Sequence, residues 1–196
     1  MEQYLAVSEI IDWQHPEILA LAAELATNAP SPAAVAERCF TWVRDSIRHS
    51  WDYQLNPVTC SSSEVLRHRT GYCYAKSHLL AALLRANRLP AGFCYQRLSL
   101  GGSGPPYCLH GLNAVYLPKH GWYRIDARGN KEGIDAGFTP PVERLAFAIG
   151  DWPEGDLPEI WPAPLPCVVA ALRRYRDVRE LYDNLPDIEL VTVSPR

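Results

Sequence analysis

Residues 69–98, RTGYCYAKSHLLAALLRANRLPAGFCYQRL, carry the pattern from which the fold is read. Between Cys73 and Asn87, residues Ala75, Leu79, Leu80, Ala82, Leu83, Leu84 and Ala86 leave few polar positions. A helix apolar on most sides belongs in the centre of a domain. It ends near Asn87, before Pro90. The period then switches. Residues 91–100 read as a strand, and so do 109–117 and 121–127. The Gly/Pro-rich stretch 101–106 (GGSGPP) is a flexible connection, and 118–121 (PKHG) is a turn. A buried helix feeding an antiparallel sheet makes the fold class α+β.

Working upstream, residues 16–27 and 31–47 read as helices, the second capped by Ser31 and carrying Val35, Cys39, Trp42, Val43 and Ile47 on one face. Residues 51–60 read as a loop broken at Asn56-Pro57, and 62–68 as a short helix. Downstream, 128–164 hold Pro140, Pro141, Pro153, Pro158, Pro162 and Pro164, so long regular elements are not expected there. A last helix is expected over 165–183, its basic run Arg173, Arg174, Arg176 a solvated face, and an edge strand or loose tail after Leu185. The organisation is a single domain over 1–196: N-terminal helices in 1–50, a core over about 40–130, and a C-terminal extension from 131 to 196.

The chain has 196 residues, 47% hydrophobic and 21% charged, with a formal net charge of -3. That suits one domain with a real core and argues against a broad nucleic-acid surface. No run approaches the roughly 18 apolar residues of a membrane span. The start, MEQYLAVSEIIDWQHPE, lacks a basic, apolar signal pattern, so a cytoplasmic setting is expected. Six cysteines, at 39, 60, 73, 94, 108 and 167, form no CxxC pair. Five read as reduced, buried, small apolar residues.

Cys73 differs. It sits where a loop becomes the buried helix, so its thiol feels the positive end of the helix dipole, which favours thiolate. First-turn amides there are also suited to stabilising an oxyanion. A cysteine nucleophile needs a base, and the base needs an orienting acceptor. His110 begins one strand and Asp126 ends the next. Opposed positions of an antiparallel hairpin have a constant sum, and these two share a face only if it is even. A sum of 238 places them diagonally, roughly 7–8 Å apart at the backbone, and 236 places them directly opposite. An odd-length turn around Lys119, or a bulge, is therefore expected.

The ordered set Gly71, Cys73, Leu83, Leu84, Arg85, Ala86, Pro90, Ala91, His110, Trp122 and Asp126 resembles the transglutaminase-like superfamily over about residues 40–130. The resemblance implies a papain-like α+β core with a Cys73–His110–Asp126 catalytic triad acting on a peptide or amide substrate. Two departures stand beside the triad. The family often has His-Ala-Trp where this chain has His110-Gly111-Leu112, and Asp-Pro-Thr where it has Asp126-Ala127-Arg128. The resemblance also suggests an oxyanion donor upstream of the cysteine. Candidates are Gln54, Trp51 and Tyr53, with Gln54 preferred for its amide N–H.

The chemistry expected is acyl transfer through a thioester on Cys73: hydrolysis, as in a cysteine protease or amidase, or transfer to an amine as in a transglutaminase. No calcium-loop motif is visible, and no metal or cofactor is expected. The alternative is a non-catalytic module that holds a peptide in a groove fringed by Tyr72, Tyr74 and Tyr107. A weaker one uses Cys73, Cys108 and His110 as metal donors. Taken singly, His110 reads as a satisfied strand histidine, Asp126 as a partner of Arg128, and His78 as a structural hydrogen-bonder. Asn113 and Asp135 are lesser candidates for the third role. Residues 98–108 and 128–164 are expected to flank the site as lids.

Overall fold

The computed structural model describes residues 1–190 of the chain. After a 3-10 turn at Glu2–Leu5, the helices are α1 (Pro16–Ala26), α2 (Pro32–Ser46), α3 (Ser50–Tyr53), α4 (Ser62–His68), α5 (Cys73–Ala86), α6 (Pro166–Arg174) and α7 (Val178–Tyr182). The strands are β1 (Arg48–His49), β2 (Thr70–Gly71), β3 (Ala91–Ser99), β4 (Tyr107–Leu117), β5 (Gly121–Ile125) and β6 (Gly155–Asp156). The fold is α+β: α5 is packed between α1, α2 and α4 on one side and β3 and β4 on the other. Leu79, Leu80, Leu83 and Leu84 are fully buried, which is why this helix carries almost no polar face. The main sheet has the order β5-β4-β3-β6, antiparallel throughout, and β1 pairs with β2 in parallel beside the start of α5.

Local chemistry sets the ends. Ser31 accepts from Ala34 N at 3.2 Å with Pro32 in the first turn of α2. Ser61 and Glu64 form a reciprocal capping box on α4. Two expectations fail. The stretch read as a loop at 51–60 begins with the short helix α3, whose last turn closes on Gln54 in the left-handed region. The single helix over 165–183 is two. Asp177 caps α7 by accepting from Arg179 N at 2.8 Å, and the Asn56 side chain holds the break by bonding Asp177 and Val178 N, each at 2.8 Å. A long-range contact thus overrides the helical pattern. The tail after Leu185 forms no strand up to Leu190; Pro186 O instead accepts from Leu109 N at 2.8 Å, and Asp187 grips Arg97 at 2.6 Å. Residues 191–196 lie outside the described residues.

No helix among the described residues is long and apolar enough to cross a membrane. All six cysteines are free thiols. Cys167 is half-buried rather than buried.

Candidate active site

Cys73 opens α5. Its N-cap, Tyr72, has extended backbone and supplies no side-chain cap. The first helical bond runs from Lys76 N to Tyr72 O at 2.9 Å, so the amides of Cys73, Tyr74 and Ala75 precede the hydrogen-bond ladder. Glycine allows close approach on both sides, tightly at Gly71 and of necessity at Gly111. A Cβ on Gly71 would meet Ala75 Cβ at 3.1 Å and Thr59 Oγ1 at 3.3 Å. A Cβ on Gly111 would meet Tyr74 Cδ1 at 2.8 Å and its Cα at 3.3 Å, so β4 slides against the helix start only because residue 111 lacks a side chain. This explains the departure from alanine beside the histidine. Gly111 N lies 3.5 Å from Cys73 Sγ as donor.

The β4–β5 register pairs Asn113 with Ile125 and Leu117 with Gly121. Both pairs sum to 238, the turn has three residues, and His110 is diagonal to Asp126. His110 Nε2 is 2.7 Å from Asp126 Oδ2. Asp126 is fully buried and also accepts from Arg128 N and Ala146 N, each at 3.1 Å. Burial opposes charge on His110, but Asp126 and a hydrogen bond and charge interaction with Cys73 outweigh it, raising the imidazole to about 10. Burial likewise opposes the Asp126 carboxylate, yet His110 and the two amides hold it below its ordinary value. Phe147 closes edge-on over the imidazole, with centroids 4.9 Å apart. The buried His110–Asp126 pair and the Cys73 sulfur are thus brought together.

The three residues border or underlie one cavity of about 500 Å³, which Cys73 and His110 line directly. Trp51, Tyr72, Tyr74, Leu98, Phe147 and Ile149 supply much of its wall. Both stretches expected to flank the site contribute to it. At one end Asp52 is gripped by Arg128 (2.6 and 3.0 Å) and Lys131 (2.7 Å). Burial works against the Asp52 charge, but these donors outweigh it and hold its carboxyl at about 2.

The upstream candidates separate. Trp51 lines the cavity, stacked on Tyr182 at 3.5 Å and 4°. Gln54 does not line it: its amide donates to Trp51 O at 2.7 Å and its oxygen accepts from Arg179 at 3.1 Å, so the preference for Gln54 is corrected. Tyr53 is exposed and packs under Arg48. Tyr107 is also off the cavity wall, under the Arg97 guanidinium at 4.3 Å. Among the lesser candidates, Asn113 donates to Ser77 O (3.1 Å) and Gly92 O (3.2 Å) and ties α5 to the sheet. Asp135 is exposed and paired with Arg144. His78 bonds Cys60 O at 2.7 Å from the core. Among the described residues no three His, Cys, Asp or Glu side chains converge to hold a metal.

Sequence reasoning missed His49, Asp52, Tyr182 and Leu185 as cavity residues and did not single out Arg128 and Lys131 within the flanking stretch 128–164. Arg128 was within reach, two residues past Asp126. Tyr182 and Leu185 arrive through the chain break at Asp177, which has no periodic signature.

The core profile of the transglutaminase-like superfamily matches residues 19–127, more than half of the chain. The chain belongs to the transglutaminase-like superfamily. Among solved structures it is similar to a candidate cysteine protease from Cytophaga hutchinsonii (19% identity, TM-score 0.51, 64% of this chain and 40% of that one). It is also similar to the periplasmic domain of TgpA from Pseudomonas aeruginosa (21% identity, TM-score 0.48, 63% of this chain and 45% of that one). A transglutaminase structure matches at 18% identity and TM-score 0.43, over 69% of this chain and 37% of that one. The chain spans less than half the length of these three. No curated protein matches it.

Proposed function

We propose that this transglutaminase-like chain is a thiol enzyme that cleaves an amide or peptide bond through a thioester on Cys73. One observation carries the reading: the thiol at the head of α5 shares one cavity with His110, whose buried imidazole closes on the fully buried Asp126 at 2.7 Å. Burying a charged pair is costly unless it is well bonded, and Asp126 gathers three donors to achieve it. His110 takes the thiol proton, and Asp126 fixes the ring orientation and steadies the imidazolium. The sulfur attacks the carbonyl, the amine leaves with the proton from His110, and water or a second amine releases the acyl group. The free thiols suit a reducing compartment such as the cytoplasm.

The test uses p-nitrophenyl acetate as acyl donor and intact-protein mass spectrometry. The expected result is a transient single acetyl adduct that maps to Cys73 and is absent from Cys73→Ser. An adduct elsewhere, or none at all, contradicts the proposal. A peptide bound equally by wild type and Cys73→Ala without turnover would instead favour a binding module.

A further inference from the structure

The acyl-transfer reading leaves one buried group on the cavity wall without a task. His49 forms β1 with Arg48, and its Cα pairs with Gly71, two residues before Cys73. The backbone just ahead of it is pinned to the catalytic helix, because Lys76 Nζ donates to Ile47 O and, at 3.2 Å, to Arg44 O. The imidazole packs edge-on to Tyr72, centroids 5.5 Å apart, and lines the same cavity as Cys73 and His110.

Its two nitrogens are in different situations. Nδ1 is buried without a hydrogen-bond partner. The nearest carboxylate oxygen, Asp52 Oδ2, is 3.8 Å away and is taken by Arg128 at 2.6 Å. A proton on Nδ1 would be a buried donor with no acceptor, so the surroundings favour the tautomer protonated at Nε2. The surroundings also favour the neutral ring. Burial first, then the charge of Arg128, push its pKa well below the ordinary value, with Lys76 and His110 adding to this and Asp52 opposing. Nε2 makes no hydrogen bond among the described residues, so its N–H is left for a ligand. Of the rival donors, the Gln54 amide is committed to Trp51 O, and Trp51 serves as cavity wall, its ring face stacked against Tyr182.

We infer that His49 is a further catalytic residue, its Nε2–H and the backbone N–H of Cys73 together forming the oxyanion hole. The inference rests on Cys73 being the nucleophile. As the sulfur–carbon bond forms, the carbonyl π pair moves onto oxygen. That oxygen accepts hydrogen bonds from both groups, and neither gives up its proton. On collapse the carbon–nitrogen bond breaks, and the amine takes its proton from the His110 imidazolium. A neutral donor fixed in advance in a desolvated wall needs no reorganisation at that moment.

The test exploits a difference between two reactions of one thiol. Alkylation by iodoacetamide displaces iodide at a saturated carbon and builds no oxyanion. Acylation by p-nitrophenyl acetate builds one. In His49→Ala, Cys73 alkylation is expected to keep its wild-type rate while the acylation burst falls about 10²-fold, the loss typical of one oxyanion donor. His49→Gln, which retains an amide N–H, recovers part of the burst. An acylation rate in His49→Ala equal to wild type overturns the inference. Equal loss of alkylation and acylation in both variants does so too, because it makes His49 structural. Slow alkylation of wild-type Cys73, indifferent to His110→Ala, removes the nucleophile reading itself and the inference with it.

Discussion

Asp126→Asn strikes the group on which the site's electrostatics turn. Three donors converge on the buried carboxylate, from His110 Nε2, Arg128 N and Ala146 N. Asparagine removes the charge and places an NH₂ where the carboxylate only accepts, so at least one donor faces another donor. Removing one partner of a buried ion pair costs about 3–5 kcal/mol. The displacement of His110 from 6.5 to about 10 corresponds to about 5 kcal/mol shared between Asp126 and Cys73, in the same range. At roughly 2–4 °C per kcal/mol for a chain of this size, the melting temperature falls by about 6–20 °C. The pH dependence gives the sharper signature. His110 has a raised folded-state pKa, so its stabilisation is whole below about pH 6.5 and is lost as pH rises through about 10. Asp126 is lowered from 3.8, so its share is present above that value and is lost on acidification. The gap between wild type and variant is therefore widest from about pH 4 to 6.5 and narrows toward pH 10. Thermal unfolding followed by circular dichroism across that range measures it. A gap that is flat with pH, or no loss of stability at pH 6, refutes the reasoning.

Gly111→Ala forces a methyl to 2.8 Å from Tyr74 Cδ1 and 3.3 Å from its Cα. It is expected to cost about 1–3 kcal/mol in denaturant unfolding and to slow Cys73 alkylation by moving β4 off the helix start. Arg85→Lys loses a buried guanidinium that donates to Ala91 O, Ala6 O and Pro162 O. One ammonium does not span all three, so unfolding free energy is expected to fall by about 1–3 kcal/mol. Asp187→Ala releases the tail from Arg97, and the Leu109 amide, bonded to Pro186 O at 2.8 Å, is expected to exchange hydrogen faster while α5 amides do not change.

The core was legible because its signals are local and periodic. The apolar sweep from Ala75 to Ala86 fixes α5, and the switch to strand after Pro90 follows the helix end. The hairpin parity needed only the positions of His110 and Asp126 and a three-residue turn. The cavity's charged end was not legible. Asp52, Arg128 and Lys131 come from segments up to 79 residues apart, joined by ion pairs that no period encodes. Gln54 was favoured on functional-group chemistry, and a left-handed φ of 49° turns its side chain to Trp51 O and Arg179 instead. The packing role of Gly71 has no periodic signature either: its φ is ordinary, and it serves close approach to Ala75 and Thr59.

The central claim is that Cys73 is an activated thiol made so by His110. Iodoacetamide at neutral pH, with site-resolved mass spectrometry over time, tests it directly. The account predicts that Cys73 labels far faster than Cys39, Cys60, Cys94, Cys108 and Cys167. The first four of these are buried and Cys167 is half-buried, and burial pushes all five of their thiols up. It also predicts that His110→Ala abolishes the advantage. Labelling of Cys73 at the pace of the other five, or at a rate His110→Ala leaves unchanged, contradicts it.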